Sequence, residues 1–236
     1  MLPYKYHALK LTVLRTELDE LPRMYLGRDL IYFEKEDGSF SKYRKTSKKG
    51  KILYPTAMRR KELTEEYERL YSEWNRIYRE EPPFIKLKTG RNRLDNNFFD
   101  SAKEYSNNIP IERPVEYNGR IFRSKNEQLT AMLLDKLEIP YKYETELVIN
   151  GKSFHPDFLV NIREADACIY MEIFGLSDDP DYMAGSERKI RVYLKAGLKH
   201  GKNLILIFVP NAYTFDTDAV RSMILSAIET LIETKL

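Results

Sequence analysis

Residues 153–175 read SFHPDFLVNIREADACIYMEIFG, which is two apolar runs joined by a short polar segment. Apolar runs of this length, rich in β-branched and aromatic residues, predict two strands that pair as an antiparallel hairpin. Pairing Ile162 with about Cys168 sets the register, and in that register Asp157 lies beside Glu172. A partly buried ionised carboxylate needs a cation, a metal ion or a proton. Two adjacent carboxylates favour a hard divalent cation such as Mg²⁺.

The sequence around this hairpin predicts further helices and strands. Apolar residues spaced three and four apart indicate helices near 126–137 and after Asp181, and the apolar run 203–209 indicates a strand covered on both faces. A last helix begins at a cap, Asp216 or Thr217. The predicted order from residue 126 is helix, three strands, helix, strand, helix, with the three strands over 141–149, 153–162 and 168–174 and a tight turn at Asn150 and Gly151.

This order, with Pro156 and Asp157 in one strand and Glu172 in the next, resembles the core of the PD-(D/E)XK nuclease superfamily. The resemblance covers Gly119 to Val209 and implies an α/β protein with a mixed, α+β sheet and a restriction-endonuclease-like αβββαβ core. It also implies that Glu127, in the preceding helix, joins Asp157 and Glu172 in binding Mg²⁺, with Mn²⁺ as an alternative. A water on such an ion attacks the phosphodiester bond.

One position departs from the family pattern. The usual lysine two residues after the glutamate is Phe174 here, which carries no charge. Some members of the superfamily read Glu-x-Phe-Gly at this place and take the lysine from the following helix, in a Lys-x-x-x-Tyr pattern. Glu172 to Gly175 match the first pattern, and Lys189 with Tyr193 match the second. The resemblance therefore implies that Lys189 is the catalytic lysine, with Tyr193 as a secondary candidate.

Each of these residues also has a structural interpretation. Asp157 and Glu172 could be strand-end carboxylates bound to backbone or paired with a lysine. Glu127 could serve only to complement the dipole of its helix, and Lys189 could be a solvated helix residue. His155 is a secondary candidate for contacting a phosphate or an acid, and its alternative is a half-buried strand histidine.

The N-terminal half carries the positive charge. The chain has 39 basic and 36 acidic residues, but residues 38–61 hold nine basic side chains and no acid, which suits a polyanion. We expect residues 1–118 to form a basic extension that contacts nucleic acid, DNA above all, and residues 119–236 to form the nuclease-like domain. The nucleic-acid-binding candidates are Lys42, Arg44, Lys45, Lys48, Lys49 and Lys51.

Local patterns in the extension predict a β-hairpin and a helix. Residues 30–36 and 40–43 read as two strands joined by a turn at Asp37 and Gly38. Lys48 to Lys51 read as a second turn before a short apolar run at 52–54. Leu63, Tyr67, Leu70, Trp74 and Ile77 form the stripe of an amphipathic helix from about Arg59 to Glu80, and residues 84–118 read as an irregular linker.

The sequence leaves other function classes open. Because the strand lysine is missing, a catalytically inactive nucleic-acid-binding module is the first alternative. An assembly protein that dimerises through the helix at 63–77 is the second, and a homodimer or larger assembly is open in every case. A single cysteine, Cys168, and a start, 1–15, without the apolar run of a signal peptide favour a reducing, cytoplasmic location. No stretch is apolar enough for a membrane span.

Overall fold

The computed structural model describes residues 2–88, 93–105, 114–211 and 214–236. The chain divides into two compact units, 2–86 and 87–236. The described residues between 87 and 118 thus belong with the C-terminal unit, although the sequence predicts a boundary at 118. The described residues contain six α-helices and several small sheets, which is an α+β arrangement. The mixed α/β class predicted from the sequence is confirmed at this level.

The N-terminal unit consists of two long helices and a three-stranded antiparallel sheet. Its elements are α1 (Tyr4–Glu20), β1 (Met24–Leu26), β2 (Leu30–Glu34), β3 (Phe40–Arg44) and α2 (Lys48–Tyr78). The hairpin of β2 and β3 is the one predicted, and Gly38 at its turn has a φ of 78°, which suits glycine. Helix α1 was not predicted from the sequence.

The second turn predicted at Lys48 to Lys51 is wrong, because these residues form the first turn of α2. Ser47 caps the helix, since its hydroxyl accepts a hydrogen bond from the backbone N–H of Gly50 at 3.0 Å. Gly50 is needed here for another reason: a Cβ at this position would lie 1.9 Å from the carbonyl oxygen of Arg44. The glycine therefore serves close packing of helix against strand rather than a turn.

The apolar stripe of α2 packs inside the N-terminal unit. Leu63, Leu70 and Trp74 are buried against residues of α1 such as Leu11, and the indole of Trp74 donates to the carbonyl of Glu80 at 2.7 Å. The stripe that could have joined two chains is thus covered by α1 of the same chain.

The C-terminal unit has four helices and eight strands among its described residues. They are α3 (Asn96–Ser101), β4 (Val115–Tyr117), β5 (Arg120–Phe122), α4 (Lys125–Lys136), β6 (Tyr141–Tyr143), β7 (Leu147–Ile149), β8 (Lys152–Phe154), β9 (Phe158–Ile162), β10 (Ala167–Phe174), α5 (Pro180–Lys195), β11 (Leu204–Phe208) and α6 (Thr217–Lys235). The predicted linker at 84–118 therefore contains α3 and β4, while its residues 89–92 and 106–113 lie outside the described ranges. Asp216 caps α6, as one of the two predicted caps.

The main sheet is mixed and has the order β11-β10-β9-β6. Strands β9 and β10 are antiparallel with Ala167 opposite Ile162, one position from the predicted pairing, and β11 runs parallel to β10. The two predicted strands 141–149 and 153–162 are each divided, because the backbone turns at Glu144, with a φ of 48°, and at Pro156. Strands β7 and β8 form a separate hairpin with its turn at Asn150 and Gly151, as predicted.

The core of the C-terminal unit lies on both faces of β9 and β10, whose residues are buried throughout. On one face Tyr170 and Phe174 of β10 pack with Phe99 of α3 and Tyr193 of α5. Because side chains alternate along a strand, Glu172 lies on this same face, directed to α5. In the described ranges, every helix lacks the length or the apolar composition needed to cross a membrane.

Candidate functional site

Glu172 is the centre of a polar cluster inside the C-terminal unit. This residue is only 4% exposed, and both of its side-chain oxygens accept hydrogen bonds from α5. Oε1 accepts from the ammonium of Lys189, and Oε2 accepts from the hydroxyl of Tyr193 at 3.1 Å. Lys189 and Tyr193 are four residues apart, so one turn of helix presents both to the same carboxylate. The Lys-x-x-x-Tyr pattern thus lies against the glutamate that the sequence analysis paired it with.

Asp157 lies next to Glu172 because of the β9–β10 register. It precedes β9, and its Oδ2 accepts a hydrogen bond from the backbone N–H of Ile173 at 2.6 Å. Its own carbonyl accepts from the N–H of Glu144 at 2.9 Å, which fixes the backbone at this point. The side chain is partly exposed. The sheet therefore holds Asp157 rigidly beside the residue that follows Glu172.

Glu127 is held in the first turn of α4 and is 8% exposed. Ser124 caps this helix by accepting from the N–H of Glu127 at 3.2 Å, and Oε1 of Glu127 accepts from the Ser124 hydroxyl at 2.8 Å. Oε2 accepts from the hydroxyl of Tyr143 at 2.5 Å and from the N–H of Arg123 at 3.0 Å. A serine followed by a glutamate three residues later is the capping-box pattern. Both oxygens of Glu127 are therefore occupied by donors of its own surroundings.

The three carboxylates act on one another electrostatically. Burial raises the pKa of Asp157 well above its usual value, and the negative charges of Glu172 and Glu127 raise it further. Burial also raises the pKa of Glu172, although Lys189 and Tyr193 oppose that increase. The nearby guanidinium of Arg123 is bound to Glu144, with Nε 2.5 Å from Oε1. The cluster of Glu127, Asp157 and Glu172 thus has more negative charge than Lys189 balances.

Two tyrosines complete the cluster, and neither was a predicted site residue. Burial raises the pKa of Tyr143, and the charge of Glu127 adds to that effect, so its phenol stays a neutral donor. Burial likewise raises the pKa of Tyr182, while a hydrogen bond with the backbone of Gly175 opposes the shift and the charges of Asp157 and Glu172 add to it. The helical spacing of Tyr182 and Lys189 could have indicated the second tyrosine. Tyr143 gave no such signal, because its contact with Glu127 depends on tertiary packing.

His155, a secondary candidate for contacting a phosphate or an acid, packs on an aromatic ring. Its ring stacks on that of Tyr105, with 3.9 Å between the ring centroids and 22° between their planes. The Nδ1 atom is buried without a hydrogen-bond partner. The structure thus places His155 against an aromatic ring, although it is only two residues from Asp157.

The cluster offers carboxylate oxygens of the kind that bind a divalent metal ion. Within the described ranges, no group of three or more His, Cys, Asp or Glu side chains is arranged to hold one. Asp157 and Glu172 nevertheless supply hard carboxylate oxygens, and Mg²⁺ in proteins commonly takes one or two carboxylates together with water and substrate phosphate. The donor chemistry fits a two-carboxylate site for Mg²⁺ or Mn²⁺. Both oxygens of Glu127, predicted as a third ligand, are hydrogen-bonded within the protein, and so are both oxygens of Glu172.

A cationic groove lies on the outer side of α5. It is lined by Arg188, Arg191 and Lys195, all exposed, together with Glu187. These side chains follow one another at spacings of three and four residues and so form a stripe on the helix that also carries Lys189. The groove is a positively charged surface on the face of α5 turned away from Lys189 and Tyr193, and the predicted site residues did not include it.

The six basic candidates lie around the start of α2. Lys42 and Arg44 are on β3, and Lys45 follows it and donates to the carbonyl of Arg28 at 2.9 Å. The remaining three, Lys48, Lys49 and Lys51, stand in the first turn of α2, where the helix dipole repels positive charge. Five of the six are exposed, Lys45 being half-buried. Lys48, Lys49 and Lys51 therefore oppose helix formation at the start of α2. Together, the six candidates create a strongly positive surface.

Comparison of the chain with protein-family models, with curated proteins and with solved structures finds no match. No relative therefore supplies an activity that could be transferred to these residues. The function has to be inferred from the chemistry of the acidic cluster, of Lys189 and of the basic surfaces.

Proposed function

We propose that the C-terminal unit is a divalent-metal-dependent nuclease that hydrolyses phosphodiester bonds, with DNA as the favoured substrate. The observation that carries the proposal is the contact of Lys189 with Glu172 beside Asp157. A lysine from the following helix thereby supplies the charge that Phe174, two residues after Glu172, lacks. Five strands lie between α4 and α5, and three of them, β6, β9 and β10, belong to the main sheet. The order α4, these three strands, α5 and β11 supports a restriction-endonuclease-like αβββαβ core.

Charge balance supports an ion of charge two. Glu127, Asp157 and Glu172 can carry three negative charges, and Lys189 offsets one of them, which leaves two. Burial and mutual repulsion raise the pKa of Asp157 and of Glu172, so the protein stabilises the proton-bound forms of these acids when no other cation is present. A divalent cation would neutralise the cluster while leaving the acids ionised.

The residues divide into ligands and supports. Asp157 and Glu172 would hold Mg²⁺ or Mn²⁺, and the bound ion would supply a water of lowered pKa and charge stabilisation at the scissile phosphate. Lys189 donates to an oxygen that gains negative charge in the transition state. Tyr193 orients Glu172 through its hydroxyl, and Glu127 stabilises the start of α4 through Ser124.

Cleavage by matched variants tests the proposal. Labelled single-stranded and duplex DNA and RNA are incubated with the purified chain in Mg²⁺, in Mn²⁺ and in EDTA. We expect products only with a divalent ion, and we expect Asp157→Asn and Glu172→Gln to abolish them. Glu116→Gln, the same chemical change at an exposed position of β4, should cleave like the wild type. Cleavage that persists in EDTA, or that survives Asp157→Asn, would remove the assignment.

A catalytically inactive nucleic-acid-binding module is the second candidate. It is favoured by the complete hydrogen bonding of Glu172, whose two oxygens are taken by Lys189 and Tyr193. Such a unit needs no ion because the lysine already occupies the glutamate. Three results together would favour this candidate. The chain would bind nucleic acid in a salt-dependent way, calorimetry would show no heat of Mg²⁺ binding, and no substrate would give a cleavage product.

A further inference from the structure

The small sheet of the N-terminal unit has one face on which most side chains are exposed. Its inner face, with Met24, Ile31 and Phe33, packs on Leu53 and Ala57 of α2. Because side chains alternate along each strand, the intervening residues lie on the other face. That outer face is a grid of three rows across β1, β2 and β3: Arg23, Glu34 and Phe40; Tyr25, Tyr32 and Lys42; Gly27, Leu30 and Arg44.

Three aromatic rings stand on this outer face. Tyr25 is 52% exposed and Phe40 is 47% exposed, while Tyr32 between them is half-buried. The rings of Tyr25 and Phe40 contact each other edge to face, with 5.8 Å between centroids. Large aromatic side chains at such exposure lose the stabilisation that burial would give them. The free protein therefore gains little stability from these rings, and their presence is explained if they pack against a ligand.

Basic side chains are interleaved with these rings. Lys42 lies over the ring of Tyr32, with Nζ 5.7 Å from the centroid, and Arg44 stands in the neighbouring row of β3. The face contains one acid, Glu34, which is bound by Arg23 at 3.5 Å and by the hydroxyl of Tyr25 at 3.3 Å. Three cations and one carboxylate give the face a positive charge, complementary to a polyanion.

The third row fixes the position of the Tyr32 ring. Gly27 lies against this ring, and a Cβ at this position would lie 2.9 Å from its Cε2 atom. A larger residue would therefore displace the ring. The glycine thus holds Tyr32 close to the sheet, between the exposed rings of Tyr25 and Phe40.

We propose that this outer face binds single-stranded nucleic acid, with bases stacked on Tyr25, Tyr32 and Phe40 and phosphates bound by Lys42 and Arg44. Aromatic rings beside a positive groove are the means by which proteins bind single strands, because every base offers a flat face to a ring. Bases in a duplex are stacked on each other and do not reach such rings. The inference rests on the proposed function in assigning nucleic acid to this chain, but it does not require cleavage.

Binding of labelled oligonucleotides in EDTA tests the inference separately from cleavage. Fluorescence anisotropy with labelled oligodeoxythymidylate should give tighter binding than with a duplex of equal length. The double variant Tyr25→Ala, Phe40→Ala should weaken single-strand binding by at least about 10-fold, because one stacked base contributes about 5- to 150-fold. Phe40→Trp, which keeps a ring, should bind like the wild type. Phe84→Ala removes a side chain that is 66% exposed elsewhere in the unit and is the matched control.

An abasic strand of equal length and charge gives a measurement that needs no variant. The wild type should bind it more weakly than oligodeoxythymidylate, by a factor similar to that of the double variant. Equal binding of the two strands, no binding of either, or unchanged binding by a double variant with wild-type circular dichroism would overturn the inference. Because the binding assay contains no divalent ion, its result is independent of cleavage. If the wild type binds single strands as expected but cleaves no substrate, only the proposed nuclease is contradicted. If it cleaves nucleic acid but fails the binding test, only the stacking surface is contradicted.

Discussion

Replacement of Lys189 by methionine should destabilise the C-terminal unit. The ammonium of Lys189 contacts Oε1 of Glu172, a residue that is 4% exposed, so Lys189→Met leaves a buried carboxylate with only the Tyr193 hydroxyl as a partner. Removing one partner of a buried ion pair costs about 3–5 kcal/mol, and the side chain of Lys189 is 31% exposed, so water lowers the cost to about 3 kcal/mol. Urea unfolding in EDTA at neutral pH measures this loss.

The loss should depend on pH in a defined direction. Burial already raises the pKa of Glu172, and removing Lys189, which opposes that increase, raises it further. The folded variant then binds a proton at pH values where the unfolded chain has released it, so its stability falls as pH rises through this interval. The destabilisation is complete above the pKa of Glu172 in the folded variant. It declines as pH falls toward the unfolded value of about 4.3.

Two further variants decide whether the buried charge is the cause. Glu172→Gln combined with Lys189→Met removes both charges, and we expect it to regain most of the lost stability. Lys195→Met makes the same replacement at an exposed position of α5 and should change the free energy of unfolding by less than about 0.5 kcal/mol. If Lys189→Met is as stable as the wild type at neutral pH, or if its loss is the same at every pH, the reasoning about a buried pair is refuted.

Three other changes have expected outcomes. Tyr193→Phe removes the 3.1 Å hydrogen bond to Glu172 and should lower the free energy of unfolding by about 1–2 kcal/mol in urea; no change would mean that water replaces the hydroxyl. Asp157→Asn removes a carboxylate whose pKa is raised by burial, so the variant should be more stable than the wild type in EDTA at neutral pH. This advantage should disappear on acidification, because the wild-type carboxyl group then binds a proton. Mg²⁺ should raise the melting temperature of the wild type but not that of the variant. Gly50→Ala places a Cβ 1.9 Å from the carbonyl oxygen of Arg44 and should destabilise the N-terminal unit by about 1–3 kcal/mol or more in thermal unfolding; a wild-type melting temperature would show that the start of α2 can shift freely.

The register that brings the acids together could be predicted to within one position because a short polar loop joins the two apolar runs. Both strands are buried on both faces, so the alternation of side chains along them does not distinguish one register from the next. The approach of Lys189 to Glu172 was implied by the family resemblance, and the four-residue spacing of Lys189 and Tyr193 agrees with it because it places both side chains on one side of α5. A short loop and a helical period therefore account for what could be predicted of the site formed by β10 and α5.

The elements that the sequence did not predict lack such a period. Helix α1 buries residues on several sides, including the consecutive stretch 6–12, so its apolar residues form no single stripe. The first turn of α2 contains glycine and several lysines, which are typical of turns, and its helical state depends on the Ser47 cap and on contact with β3. The hydrogen bond of Tyr143 to Glu127 joins residues of a strand and a helix, and local sequence does not specify that meeting.

The two candidate functions differ in what happens to Lys189 when a divalent ion arrives. Asp157 is fixed by the N–H of Ile173 and by its place in the sheet, whereas Lys189 reaches Glu172 from another element at the end of a flexible, partly exposed chain. The acids are therefore preorganised and the lysine is movable. On the proposed function Asp157 and Glu172 would hold the ion, and the ammonium of Lys189 would leave Glu172 to contact a phosphate. On the inactive alternative the lysine keeps its place because it binds Glu172 more strongly than an ion does, and Mg²⁺ then leaves the stability of the wild type unchanged.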